Sequence, residues 1–170
     1  LGYDDYAGGI DVKGKVVAIL SGAPAKLPSN ERAYYSSGAV KEAEALKRGA
    51  IGILTFSAPD DPRFRWDVSV ATSKQGSYAW IDAAGQPHRG DAALRGAASL
   101  NHPALALLFA GTPTPLAKVF EAAKLSTPQA FDLPTKVSVT TKSTHKDVES
   151  ANLVAKFEGN EGMTVSNAKR

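Results

Sequence analysis

The stretch from Asp11 to Phe56 does most to restrict what this chain can fold into. Val16 to Leu20 form a short, unbroken apolar run, the pattern of a strand covered on both faces. Val40, Ala43 and Leu46 then recur at helical spacing, with Lys41, Glu42, Glu44 and Lys47 between them. Lys47 and Arg48 fall in the last turn, where cations suit the helix dipole, and Gly49 is placed to cap it. Ser36 or Ser37 is placed to open the helix, with Ser29 as an earlier start. Ile51 to Phe56 supply a second apolar strand. Two strands joined by a helix predict a parallel pair with a right-handed crossover.

Beyond Phe56 the pattern loosens. Ser57 to His102 carries Pro59, Pro62 and Pro87 and a turn-rich Gly85–Gly90 stretch, yet holds both tryptophans, Trp66 and Trp80. Tyr78 to Asp82 reads as a strand, and Val68 to Ala71 as a weaker one. Ala104 to Phe109 reads as an apolar strand. Thr114 is expected to cap a helix with Pro115 at its first position, and Leu116, Val119, Phe120 and Ala123 as its buried stripe. Thr135 to Thr141 and Ala151 to Glu158 alternate apolar and polar residues around a polar turn, the pattern of an antiparallel hairpin. The remainder to Arg170 has no clear periodicity. Parallel and antiparallel strands with two or three helices give an α+β chain with a mixed sheet.

Composition narrows the function classes. The chain has 170 residues, enough for one domain with a core, and is 43% hydrophobic and 22% charged. Its net charge of +3 is spread along the sequence without a basic stripe, which argues against nucleic acid as a partner. There is no cysteine, so disulfides, thiolate metal sites and cysteine nucleophiles are excluded. No apolar run approaches the roughly 20 residues of a membrane span.

The wording of several segments resembles the protease-associated domain, in the version inserted in secreted two-zinc aminopeptidases. The resemblance rests on GYDDYAG at Gly2, DVKGKVVAILSGAP at Asp11, SNERAYYSS at Ser29, KEAEALKRGAIGILTF at Lys41 and SANLVAKFEG at Ser150, in that order. It is weakest from Ser57 to His102. It implies a β-sandwich or open barrel with flanking helices, the swivelling β/β/α arrangement. It also implies a division into a protease-associated domain over 1–142 and a hairpin strand and tail over 143–170. That tail would lead into a catalytic domain beyond this chain, carrying two zinc ions, and the whole enzyme would be secreted or periplasmic. On this resemblance the chain opening on Leu1 is a piece of a larger enzyme. Its expected partners are the adjoining peptidase domain and a peptide or protein substrate.

The residues themselves offer little catalytic machinery. The histidines are His88, His102 and His145. His145-Lys146-Asp147 spells the H-x-D with which the resembled family opens its zinc-ligand set, but here it precedes the strand that the motif should follow. Lys142 and Lys146 flank it, and no second histidine or acidic pair comes after it. Ser21 follows a strand with no histidine near in sequence, and there is no G-x-S-x-G elbow. The loop after Leu20 lacks both phosphate-binding glycine patterns, and its prolines remove N–H donors. The carboxylate pairs Asp4/Asp5 and Asp60/Asp61 are too few in ligands for calcium. No residue is therefore assigned a catalytic or metal-ligating role, and no cofactor is expected in this chain.

Arg63, Phe64, Arg65 and Trp66 in the irregular segment, with Tyr78 and Trp80 further on, are the candidate contacts to a substrate or partner, because these residue types dominate binding hot spots. The surface from Ser57 to Arg89 is expected to carry that contact. The alternative is a self-sufficient small α/β ligand-binding domain or hydrolase using the loops after the parallel strands, around Ser21 and Ser57. A purely structural spacer is a third reading.

Overall fold

The computed structural model describes residues 4–88, 94–127, 130–140, 142, 144–151, 153–156 and 159. Its centre is a sheet of three parallel strands in the order β1-β2-β5, namely β1 (Val16–Leu20), β2 (Gly52–Phe56) and β5 (Gly96–Ser99). Val16 lies opposite Gly52 and Leu20 opposite Phe56, while Gly52 lies opposite Gly96 on the other side. Between β1 and β2 run α1 (Ser29–Tyr35) and α2 (Gly38–Lys47). The predicted strand–helix–strand unit is present, with α1 as a separate helix where a longer start to one helix was an option.

Successive strand residues point to opposite faces, and this alternation divides the interior into two cores. On one face Val17, Ile19 and Ile53 meet Val12, Ala45 and Ala50. On the other, Ala18, Leu20, Leu54, Phe56 and Ala98 meet Leu105, Leu108, Leu116 and Phe120. The second group comes from α4 (His102–Leu108) and α5 (Leu116–Lys124). The sheet is thus sandwiched between helices, as the unbroken apolar runs of β1 and β2 require. The buried point of α2 is Ala45, whereas Ala43 is exposed, so its inner face is rotated from the predicted stripe.

The end of α2 follows from Gly49. At φ +88 it takes the left-handed conformation that costs glycine least. Its N–H donates to the Leu46 carbonyl at 2.8 Å, and Ala50 N–H to the Ala45 carbonyl at 3.1 Å, which closes a Schellman motif. At the other end Ser37 stands at the N-cap, but its hydroxyl makes no capping bond.

Several predicted elements differ. Ala104–Leu108 is helix, not strand, and Phe109 is its C-cap. The Asn101 side chain accepts from Ala104 N–H at 3.0 Å, Pro103 suits a first turn, and alanine and leucine favour helix. An unbroken apolar run does not by itself separate a strand from a buried helix. Val68–Ala71 lies in α3 (Trp66–Ser73), also helical, where Asp67 favours the first turn over the β preference of two valines. The strand over Tyr78–Asp82 shortens to β3 (Trp80–Ile81), which pairs antiparallel with β4 (Pro87–His88) in a separate two-stranded sheet. Helix α5 starts one residue later than predicted, with Pro115 at its N-cap and no hydroxyl cap from Thr114.

The parallel and antiparallel strands therefore form two sheets, and among the described residues neither closes into a barrel. Among the described residues the chain is a mixed α/β structure with five helices. Among the described residues of 130–156 there is no strand. Leu153 and Val154 are 98% and 89% exposed, and an alternating segment with no neighbouring strand has no face to bury. Thr141, Ser143, Asn152, Phe157 and Glu158, which belong to that predicted hairpin, lie outside the described residues, as does Arg89.

Candidate functional site

The loop leaving β2 holds the first four candidate contacts. Ser57 is buried, and turns at Asp61 and Phe64 fold the chain back on itself. Asp61 organises this turn. One carboxylate oxygen accepts from the Arg63 backbone N–H at 3.0 Å and from Arg63 Nε at 2.9 Å, and the other from an Arg63 terminal nitrogen at 2.9 Å. This two-pronged pair holds the Asp61 carboxyl below the ordinary carboxylate range. Arg65 grips Asp67 in the same way, at 3.1 and 2.7 Å. Asp60 pairs with Lys124 at 2.7 Å, which ties the loop to α5.

Both arginines are thus engaged by carboxylates two residues away. Their charge is locally neutralised, which makes them weaker anchors for an anionic partner than the sequence pattern suggests. The aromatic residues are arranged differently. The Phe64 ring lies 6.2 Å from that of Trp66 and 5.9 Å from that of His102. Trp66, at the start of α3, is 37% exposed. His102 stands in the first turn of α4, brought to the loop because β5 and β2 are neighbours.

His102 Nε2 is 3.2 Å from the Ser57 carbonyl oxygen, not from its hydroxyl. That geometry does not take a proton from Ser57 Oγ. The carboxyl end of a parallel sheet is where α/β folds commonly bind ligands. Here it gathers Ser21, Ser57 and His102 without aligning a nucleophile with a base.

Trp80 sits on β3 of the hairpin formed with β4, and Tyr78 lies two residues before it. The hairpin turn is built by Asp82, whose carboxylate accepts from Ala84 N–H at 2.9 Å and Gln86 N–H at 2.8 Å. These bonds, chiefly that from Gln86, lower the Asp82 carboxyl, and His88 adds a contact at 3.3 Å. Trp80 stacks flat on His88, with centroids 3.5 Å apart and planes at 7°. Trp80 nevertheless remains 64% exposed and Tyr78 88%. No ring contact among the described residues joins either to Phe64 or Trp66. The four aromatic candidates therefore form two groups, Phe64 and Trp66 in a corner with His102, and Tyr78 and Trp80 at the exposed hairpin.

Lys41, in α2, escaped sequence reasoning. Its ammonium donates to the Leu20 carbonyl at 3.1 Å, and burial pulls its pKa down. The signal was a lysine in the first turn of a helix that must lie over the end of β1. Among the described residues, no group of three or more histidines, aspartates and glutamates is placed to hold a metal ion. Among them also, no helix is long and apolar enough to cross a membrane. No family model, curated protein or solved structure matches the chain.

Proposed function

We propose that this chain is the protease-associated module of a zinc-dependent aminopeptidase, with the swivelling β/β/α fold of that domain class. It acts without catalysis of its own, as a lid or contact surface beside the active site of the adjoining peptidase domain. That domain supplies the two zinc ions, and the whole enzyme works outside the cytoplasm. The order of matching segments from Gly2 to Ser150 supports the family reading. The observation that carries the contact role is the exposure of Trp80 and Ile81, at 64 and 49%, on a hairpin separate from the central sheet, and of Tyr78 just before it, at 88%. Exposed aromatic side chains with an apolar body and a polar handle are enriched where proteins bind one another.

The reading is tested in the full-length enzyme. Alanine at Trp66, Tyr78 and Trp80 together is expected to lower kcat/KM for long peptides about tenfold or more while leaving short aminoacyl substrates unchanged, since removing a hot-spot contact costs more than about 1 kcal/mol. Unchanged kcat/KM for both would leave only a spacer. Hydrolysis of aminoacyl-nitroanilides by the chain alone with zinc would overturn the non-catalytic assignment.

A further inference from the structure

The central sheet ends at β1 on one side, because among the described residues no strand pairs with its outer edge. An edge strand turns the N–H and C=O of every second residue outward, away from its neighbour. Here that edge lies in a trough of about 1540 Å³. All five residues of β1 line it, those of both faces, so the space wraps around the edge instead of lying on one side of the sheet. Leu27 borders it from the loop before α1, Tyr34 and Tyr35 from α1, Val40 from α2, and Phe131, Leu133 and Val137 from the segment after α5. Tyr34, Tyr35 and Val16 are 60, 41 and 38% exposed there.

An occupant of this trough must satisfy outward backbone groups and two apolar walls at once. A β-strand about 4.8 Å from β1 does both, since its own side chains alternate between the walls. A second globular edge flanked by its own helices would meet those walls before reaching β1. The length of β1 sets the occupant at about five residues, ~17 Å. Of the lysines that line the trough, Lys15, Lys47 and Lys136 are exposed, and the half-buried Lys41 sets the direction. Lys41 lines the trough at the Leu20 end and uses one of its three donors on the Leu20 carbonyl. Among the described residues its ammonium makes no ion pair within 4.0 Å, and the charge of Asp5 raises its pKa against the effect of burial. A carboxylate at that end completes its coordination.

We propose that the β1 edge is a docking slot for an extended apolar peptide with a free C-terminal carboxylate, which adds parallel to β1 as a fourth strand and ends on Lys41. This deepens the function proposed above and rests on it in one respect. An enzyme that trims peptides from the amino end leaves the carboxyl end for a neighbouring module to hold.

The test is fluorescence anisotropy with the full 170-residue chain and a labelled peptide, Gly-Ser-Val-Leu-Ala-Val, bearing a free carboxyl end. Binding is expected, weakened about tenfold or more by C-terminal amidation and similarly by Lys41→Met, the scale of a charged hydrogen bond. Methylating the peptide nitrogens at alternate residues is expected to abolish binding in one register and spare it in the other. These peptide-side changes leave the protein's folding untouched. Equal affinity of the amide, or equal tolerance of both methylation registers, would overturn the proposal. No binding would overturn it too, whether the chain is monomeric or dimeric. The readout requires no peptidase activity, so a wrong parent enzyme and a wrong slot fail separately.

Discussion

The parallel sheet and the segment from Ser57 to His88 are held by different forces. Around the sheet, Leu54, Phe56, Leu105 and Leu108 are almost wholly removed from water and hold one another by packing. In the segment beyond β2, hydrogen bonds within a few residues do the work: Asp61 with Arg63, Arg65 with Asp67, Asp82 with its own turn. Packing couples distant parts of the chain, so a change in one place is felt throughout. Local bonds shape a loop without burying it, which leaves Trp80 and Tyr78 available to a partner.

The largest test of this contrast is Leu105→Ala. Leu105 is 0% exposed, and its truncation is expected to cost about 3 kcal/mol and to lower the urea midpoint of the whole chain. Trp80→Ala should cost about 1 kcal/mol or less, because it removes a stacked but largely exposed ring. If the tryptophan change were the more damaging in urea unfolding, the hairpin would belong to the cooperative core and the contrast would fail.

The smallest effect concerns pH. Arg63 depresses the Asp61 carboxyl in the folded chain, so the unfolded chain binds this proton first as pH falls. The pair's contribution is therefore full above the ordinary aspartate value of about 3.9 and is lost as pH falls through the lower folded value. Asp61→Asn should lose stability relative to the parent above that range, and the difference should shrink below it. Urea midpoints of the two proteins across that range read this directly, and a constant difference would show that the pair does not titrate as described.

Much of the scaffold was legible from the sequence because its signals are local. The apolar runs of β1 and β2, the helix between them and the Gly49 cap each depend on a few adjacent residues. Helix α4 was not, since an apolar run alone is ambiguous and the deciding bond comes from Asn101. Strand β5 was missed because Gly-Ala-Ala-Ser carries no strand-forming side chains. It is a strand because β2 offers an open edge. Its first residue suits the place, since a Cβ on Gly96 would approach the Val139 side chain to 3.3 Å.

The same division runs through the candidate site. Arg63 to Trp66 were visible as an aromatic and basic cluster, but the acidic residues that occupy the arginines were not weighed with them. The meeting of Phe64 with His102 joins residues distant in sequence, and no pattern within either segment announces it. The sequence by itself determined which segments are apolar on both faces, where α2 stops and which residue types could make a contact. Only the tertiary structure decided which edge of the sheet stays open, which aromatic rings are left in water and that Lys41 sits over the end of β1. Periodicity records how each segment divides between water and core, whereas partners are chosen by the packing of segments far apart in the chain.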